Sequence, residues 1–561
     1  MRLTEGFNLL ATAPDGIKRL RELILSLAVQ GKLVPQDPSN EPASELLKQI
    51  RAEKDRLIAE GKIKKDKPLP AIRDDEKPFE LPDGWEWVRL GDLGFTQTGG
   101  TPSKNEPASF GDDVPFVKPG DIFPNYVEYK NEGLSTAGAE QLGRLAPAGS
   151  ILMVCIGTIG KCNFITRPCA FNQQINSISP LGGNSLFWLS VLRSSYFQAE
   201  AWLRSSSTTI AILNKGKWET IPVPMAPALA QSRIVAKVEE LMALCDALET
   251  RGQLEAEQHA RLTTTLFDAL AASESAHQLQ ENWARLAASF DLVLDRPEAV
   301  DALEQTLLQL AVRGLLVPQD PNDEPASELL KQIRAEKDRL IAEGKLKKDK
   351  PLPDITDDEK PFELPQGWEW VRMADICRPI SSGSTPAAHE FLPDGDVPYL
   401  KVYNIRNQAI DFEYKKQFIS EELNHSKLSR SVLYPGDVVM NIVGPPLGKV
   451  AIIPNTYPKW NCNQAIAFFG LIPPMSSKYV WTFLCENSFL NSIQLIGTAG
   501  QDNISVTKSK NILVPVPPLS EQVRIVDRVE ALRVLCAQLR ERLATSLQTQ
   551  AHLAEALVEQ M

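Results

Sequence analysis

The sequence predicts an α+β protein in which two middle domains are joined by long coiled-coil helices, the whole forming an internal repeat with a pseudo-twofold, circular relation. Three observations predict it. Phe7–Arg89 matches Phe290–Arg372 at a constant offset of 283, and EPASELLKQIRAEKDRLIAEGK stands identically at Glu41–Lys62 and Glu324–Lys345, which is duplication. Ile221–Leu241 is echoed by Val514–Leu532, so the unit repeats at both ends. After each echo the apolar residues fall into heptad spacing, whereas the stretches between read as short alternating strands.

Taken in order, residues 1–84 form a helical arm and connector. Ile17–Gln30, repeated as Val300–Arg313, is an apolar-periodic helix ending at Gly31 or Gly314, the residue that suits a helix end. Ser44–Gly61, repeated as Ser327–Gly344, is a charged helix with Leu46, Leu47, Ile50, Leu57 and Ile58 on one side. A Pro-punctuated extended connector follows. Residues 85–227 and 368–518 are the two middle domains. Each begins with WEWVR in strand alternation, and helices are expected at Ser185–Leu203 and Lys478–Leu495. Trp85, Trp87, Trp368 and Trp370 read as core anchors, and Asn172/Gln173 and Asn463/Gln464 as parts of a shared framework. Residues 228–367 hold the central helices, the second arm and its connector. The last segment, 519–561, is a coiled-coil helix with its seam at Ile525, Val529, Leu532, Cys536, Leu539, Leu543, Ser546, Gln550, Leu553 and Leu557. In the central rod the same spacing is interrupted around Gly252, Glu255 and His259, predicting a looser or bent helix there. The C-terminal rod is expected to pack on the N-terminal arm, closing the chain on itself.

Composition narrows the function. The chain has 60 Lys plus Arg against 71 Asp plus Glu, a net charge of −11, which excludes nucleic-acid binding through bulk positive charge. The two middles carry net charges of 0 and +1, so −12 lies on the arms and rods, a segregation that permits DNA contact at the middles. No apolar run is long enough for a membrane span, and a cytoplasmic protein is expected. The eight Cys form no CxxC pair and read as reduced thiols. Methyltransferase, cofactor-loop and HExxH motifs do not occur, the five His are scattered, and GPPLGK at Gly444–Lys449 is one residue short of a phosphate loop, with Val450 where Ser or Thr is needed. No catalytic residue, cofactor or metal ligand is assigned to this chain.

The candidate DNA-contacting residues are polar loop residues of the middles. In the first they are Thr98, Thr101, Ser103, Lys104, Lys118, Lys161, Lys215 and Lys217; in the second, Ser382, Ser384, Thr385, Lys401, Lys449, Gln501, Asn503, Lys508 and Lys510. Lysines hold phosphates, whereas Asn, Gln and Arg can pair with base edges. Identical arms suit two copies of one partner, and divergent middles suit two different ligands.

The order LAVQGKLVPQD, ELPDGWEWVRLGDL, GGTPS, VPFVKPGDI and the closing VPVPPLSEQVRIV before a long helix, occurring twice, resembles the specificity subunit of type I restriction-modification enzymes. Pro517–Gln522 carries the Pro-Pro-Leu-Ser-Glu-Gln form intact, whereas the first copy reads Pro-Ala-Leu-Ala-Gln at Pro227–Gln231 and lacks the Glu. The resemblance implies a non-catalytic DNA reader with two target recognition domains separated by antiparallel helices that act as a ruler. Each domain would read, in the major groove, one half of a split asymmetric site, the halves about one helical turn, roughly 34 Å, apart. It implies as partners double-stranded DNA, two copies of a DNA adenine methyltransferase (modification) subunit that carries S-adenosylmethionine, and restriction subunits that carry ATP and Mg, with no membrane. The alternative is a coiled-coil adaptor whose middles bind peptides or proteins, which a duplex-DNA pull-down with the methyltransferase partner separates from a DNA reader.

Overall fold

A computed structural model describes residues 9–65, 67–103, 105–206, 210–348, 351–493 and 503–559. The chain divides into two units, residues 1–255 with 547–561, and residues 256–546.

In the first unit the arm helix Gly16–Val29 buries Leu20, Leu23, Ile24 and Ala28 along one stripe. It stops at Gly31, whose φ of +71° is costly for any residue with a Cβ. The stripe packs on Ile234, Val235, Val238 and Cys245 of the long helix Ala228–Ala271, and Ala554 of the C-terminal helix Leu519–Glu559 is buried in the same core. Arg19 meets Glu555 at 3.4 Å. The N-terminal arm therefore lies on the start of the central rod and on the last turns of the C-terminal rod, where only the C-terminal rod was expected. The central helix runs unbroken through Gly252, so the expected bend is not realised as a break; Arg251–Gln258 are all exposed, which is why the seam lapses there.

The charged helix Ala43–Ala59 buries only Ala43, Leu46, Leu47 and Ile50. Its connector is pinned to the head by Arg89, which is almost fully buried. Its guanidinium donates to the carbonyls of Pro70 (3.0 Å), Ala71 (2.9 Å) and Thr220 (2.5 Å) and to both carboxylate oxygens of Glu76 (2.8 and 2.9 Å). The head begins and ends on one antiparallel ribbon, Glu86–Arg89 with Pro222–Met225. Beyond it stand two four-stranded sheets. One has the order Gly94–Thr98, Ile175–Pro180, Ile151–Val154, Cys162–Phe164. The other has the order Gly133–Leu134, Phe110–Val117, Cys169–Phe171, Leu145–Ala146, with one parallel pairing of Phe116–Val117 to Ala170–Phe171. The predicted helix Ser185–Leu203 is two helices, Ser185–Arg193 and Ser195–Leu203. Ser194 adopts an extended conformation (ψ 148°) and its hydroxyl accepts the Phe197 amide, ending one helix and starting the next.

The second unit repeats this plan. Its arm helix Pro297–Val312 packs Leu303 and Leu307 on Phe267 and Leu270 of the central rod and on Cys536 of the C-terminal rod, with Leu532, Leu539 and Leu543 alongside. The seam read from the sequence is thus a real contact line as far as Leu543; beyond it Ser546 and Leu553 are exposed and Ala554 is buried instead, because a straight helix of 3.6 residues per turn drifts off a strict heptad line. The head has the ribbon Glu369–Arg372 with Leu513–Val516 and a four-stranded sheet ordered Ser381–Ser382, Ile466–Phe469, Val438–Asn441, Val450–Ile452. A three-stranded sheet again contains one parallel pairing, Tyr399–Leu400 with Asn461–Cys462. Here too the predicted helix is divided, into Ser477–Glu486 and Phe489–Ser492, at Asn487 with φ +65°.

Each head has one core shared with the arm and rod and others of its own: around Val117, Leu152 and Phe171 and around Phe116 and Leu134 in the first head, and around Leu400, Val439 and Phe468 and around Tyr399 and Ile419 in the second. The side that meets the helices is constrained by them, and the far side is free to diverge.

Trp85 and Trp368 are buried against the arm as anchors. The Glu missing from the first copy is explained at this joint. In the second unit the Trp368 indole donates to Glu521 (2.9 Å) and Gln319 donates to the same carboxylate (2.6 Å). In the first, Ala230 fills the position of Glu521 and Gln36 turns its carbonyl to accept from Trp85 (3.1 Å). The adjacent Gln is used alike in both: Gln231 accepts the Asn184 amide (2.8 Å) and donates to Ala226 (2.9 Å), and Gln522 accepts the Ser476 amide (3.2 Å) and donates to Pro517 (3.1 Å). That side chain fastens each head to its rod.

Candidate nucleic-acid interface

Two surfaces in each head collect most of the candidate residues. The first is the loop after the opening strand. Gly99 and Gly383 lie so close to the opposite chain that a Cβ would overlap the carbonyl oxygens of Phe171 and Asn172, or of Cys462 and Asn463. Their amides bond Ile175 (3.0 Å) and Ile466 (3.1 Å). This approach brings Thr101 onto Gln173 (2.5 Å) and Thr385 onto Gln464. Both threonines and both glutamines are exposed. Asn172 is buried and braces the Gln174 amide (3.1 Å), as a framework residue should, but Gln173 and Gln464 stand at the surface beside the loop. Thr98 is half-buried and bonds Asn176 (2.8 Å); Ser103 is exposed. Ser382 is half-buried in a strand opposite Ala467, and the Ser384 carbonyl accepts from the Tyr399 hydroxyl (2.8 Å). Lys104 and Gln501 lie outside the described residues.

An arginine absent from the candidate set reaches each loop. Arg144 donates to the carbonyls of Thr98 (3.0 Å) and Gly99 (2.6 Å), and Arg430 to the Ser384 hydroxyl (3.3 Å). Both are exposed, leaving donors of each guanidinium facing solvent. They precede an edge segment in both heads, but their registers differ by one residue, so comparing the two sequences did not reveal them.

The second surface forms where a short turn at Lys118 or Lys401 meets the Gly-rich turn ending in Lys161 or Lys449. The Lys118 amide donates to Asp121 (2.8 Å), and that of Lys401 to Asn404 (2.9 Å). Lys161 donates to the Pro119 carbonyl (2.8 Å) and lies 5.5 Å over the Phe123 ring. In the second head, the Val450 amide beside Lys449 donates to Gln408 (2.7 Å). GPPLGK is thereby a structural turn that places a lysine, the counterpart of GTIGK at Gly157–Lys161, with the Lys449 amide held by Asn441 (2.7 Å).

The remaining lysines divide. Lys118 is paired with Glu132. Lys215 is turned inward onto the Thr96 carbonyl (3.0 Å) and Glu219 (2.9 Å), so its charge is spent inside the head and it leaves the exposed set. Lys217 is exposed on the helix Lys215–Glu219. Its counterpart by capping is Lys508, since Asn214 accepts the Lys217 amide (2.9 Å) as Ser505 accepts that of Lys508 (3.1 Å). Lys510 therefore stands where the first head has Glu219, and the two lysine pairs are not equivalent. Asn503 is half-buried and bridges Val443 through its backbone.

Chemistry requiring an activated nucleophile finds little here. All eight cysteines are buried, and burial pushes Cys155 up to about 12 and Cys162 up to about 11, so both thiols stay protonated at neutral pH. Among the described residues no cluster of His, Cys, Asp and Glu has a metal-holding arrangement, and no helix is long and apolar enough to cross a membrane.

Comparison with known proteins fits this geometry. The family model for the type I restriction modification DNA specificity domain matches residues 82–258 and again 365–548, spanning both heads and the start of each rod. The chain is 37% identical to the type I restriction enzyme EcoEI specificity subunit of Escherichia coli, over 97% of this chain and 93% of that one. It is 36% identical to the EcoAI specificity subunit of the same organism, with the same coverage. A chain in a solved structure of the type I R-M system, concerned with complex assembly and conformational transition, has the same fold, with a TM-score of 0.51 at 16% identity over 86% of this chain and 98% of that one. Two heads, each matched by the same model, and near-full-length similarity to specificity subunits place this chain in the family of type I restriction-modification DNA specificity subunits.

Proposed function

We propose that the heads, residues 85–227 and 368–518, each read one half of a split, asymmetric DNA site, and that the duplicated arms hold two copies of a DNA adenine methyltransferase subunit, through which restriction subunits join. S-adenosylmethionine then belongs to the methyltransferase partner and ATP with Mg to the restriction partner, in the cytoplasm. The observation that carries this reading is the contrast between shared frame and unlike loops. Ribbon, parallel strand pair, close-approach glycine and Thr–Gln contact recur in both heads, while the exposed segments between them differ in length and chemistry.

The arms point to a duplicated partner. Ala43–Ala59 and Ala326–Ala342 bury a single narrow stripe and present the same charged ladder outward: Arg56 between Glu53 and Glu60 (2.6 and 2.7 Å), Arg339 between Glu336 and Glu343 (2.6 and 2.7 Å). Isolated surface pairs of this kind stabilise a helix little, so an identical exposed pattern kept twice suits recognition better than stability. The test is an exchange of residues 85–227 for the matching segment of a relative, with methylated adenines mapped in cells that carry the methyltransferase partner. One half of the recognised sequence is expected to change. A change in both halves overturns the assignment of one half-site to each head.

A further inference from the structure

We propose that the hairpin following the Lys118 or Lys401 turn, with its tip at Phe123–Tyr126 in the first head and Arg406–Ala409 in the second, makes the two heads choose different bases. This rests on the DNA-reading function above. The inference begins from what cannot discriminate. The Thr101–Gln173 and Thr385–Gln464 contacts are chemically the same in both heads, so they suit what the two half-sites share, such as the phosphate backbone. Discrimination requires a position that is equivalent in space and different in chemistry.

The hairpins meet that requirement. Both start from an amide locked by the third residue on, Asp121 or Asn404. Both have strands paired by Ile122 with Val127 and by Ile405 with Ile410, and both close a two-residue turn one step nearer the tip, through Phe123 with Tyr126 (2.9 Å) and Arg406 with Ala409. Both lie against the turn carrying Lys161 or Lys449: the Lys161 ammonium is 5.5 Å over the Phe123 ring, and the Val450 amide beside Lys449 donates to Gln408. The frames are clamped. Asn163 and Arg193 donate to the carbonyls of Phe123 (2.9 Å) and Pro124 (2.6 Å), and Trp481 donates to the Gln408 carbonyl (3.1 Å). A tip fixed in advance loses little freedom on binding.

The tips then part. Phe123 and Tyr126 stack at 4.6 Å with planes 14° apart; Phe123 lines the cleft towards the rod with Lys161 over its ring, and Tyr126, 54% exposed, offers the aromatic surface at the tip. Such a surface suits the C5-methyl of thymine. In the second head Pro124–Asn125 is replaced by Asn407–Gln408, with φ of +50° and +57°, the turn that fits a tight hairpin. Arg406 stands in place of Phe123. Its guanidinium lies 4.4 Å over the Tyr414 ring and 3.5 Å from Asp411, which orients the fork without burying it. A fork so held suits the O6 and N7 of guanine.

The experiment uses the full chain with its methyltransferase partner and maps methylated adenines across a genome for wild type, Tyr126→Ala and Arg406→Ala, with thermal melting of each variant. Because both side chains are exposed, melting is expected to be unchanged. Arg406→Ala is expected to relax one guanine position in one half-site by about tenfold or more, and Tyr126→Ala one A·T position in the other half. Two variants with the wild-type site and rate overturn the hairpin inference and leave the DNA-reading function standing. Equal loss of methylation at every site, with melting unchanged, also overturns it, because the hairpin then binds without choosing. A wild-type complex that methylates no two-part sequence overturns the function on which the inference rests.

Discussion

The two units hold equivalent joints together with different, sometimes opposite, chemistry. In the first, Arg21 of the arm reaches the acids Asp246 (2.5 Å) and Glu249 (2.8 Å) of the rod. In the second, the residue at the same place is Glu304, which meets Arg533 (2.8 Å) and Arg540 (2.9 Å). Between head and rod, the first unit has a cleft of about 700 Å³ lined by Leu189 and Met242 among others, whereas Trp481 and Arg533 take those positions in the second, with the guanidinium 4.7 Å over the indole. Backbone geometry has been kept and side-chain solutions exchanged. The joint constrains shape, and several chemistries satisfy it.

The largest difference is expected at the connector clamps. Arg89 makes its full set of bonds beside Glu76, whose side chain is 15% exposed and is joined by Arg204 at 3.5 Å; Arg372 meets Glu359, which is 37% exposed. Arg89→Ala removes the bidentate partner of a largely buried carboxylate and leaves it Arg204 and the Arg73 amide, and is expected to cost about 3 kcal/mol, the low end for breaking a buried pair. Arg372→Ala is expected to cost clearly less. Hydrogen exchange of residues 67–77 and 351–360 reads the two sites separately, and equal losses remove the distinction.

Acid separates two carboxylates with opposite shifts. Bonding to Arg89 holds Glu76 down at about 2, below its ordinary value near 4.5. The unfolded chain then binds the proton more readily than the folded one. The stabilisation is complete above about pH 4.5 and is lost as pH falls towards 2, up to about 3 kcal/mol in all. Burial pushes Glu521 the other way, against its bonds from Trp368 and Gln319. For that group the folded state holds the proton longer, so the joint strengthens as pH falls through its raised value. Protection around Trp368 should rise as pH falls towards 4.5, and protection of the first connector should fall only below that; parallel losses refute the opposition.

The Trp joints give a smaller effect. Gln36→Leu leaves the Trp85 indole N–H without its acceptor and is expected to cost about 1–3 kcal/mol. Glu521→Ala recreates the first unit's arrangement, in which Gln319 can turn as Gln36 does. It is expected to cost less than the double variant Glu521→Ala, Gln319→Leu. Urea unfolding followed by tryptophan fluorescence checks the order, and a single Glu521 variant as damaging as the double denies the interchange.

Much of this architecture was legible because it rests on periodicity. The duplicated arms, the heptad seam, the WEWVR strands and the Trp anchors all follow from spacing, and spacing is visible along a chain. The candidate surface was less so. Whether a lysine is free depends on which acid folds beside it: Lys118 is taken by Glu132 through the sheet, although the Lys215–Glu219 pair, four apart, was readable as a helical neighbour contact. Arg144 and Arg430 were hidden by a one-residue slip between heads. The hairpins had a signal, Ile-x-x-x-x-Val against Ile-x-x-x-x-Ile around Pro-Asn and Asn-Gln, but their stacked tip is a matter of tertiary placement. The helix breaks at Ser194 and Asn487 depend on local caps that an apolar run conceals.

The smallest expected effect lies in the reversed charges. Arg21 is 30% exposed and its partners 67% and 50%, so Arg21→Glu is expected to cost only about 0.5–1 kcal/mol, with solvent screening most of the interaction. Glu304 is 14% exposed with partners at 26% and 34%, and Glu304→Arg is expected to cost more, about 1–2 kcal/mol, because two arginines then face a third cation at a drier site. If the reversal matches each arm to its own rod, Arg21→Glu combined with Asp246→Arg and Glu249→Arg should regain most of the single variant's loss. Urea midpoints at low and high salt check this: rescue should fade as salt screens the pairs. Absence of rescue at low salt would mean that apolar packing alone, through Leu20, Ile24, Val235 and Val238, assigns arm to rod, with the opposite charges tolerated rather than used.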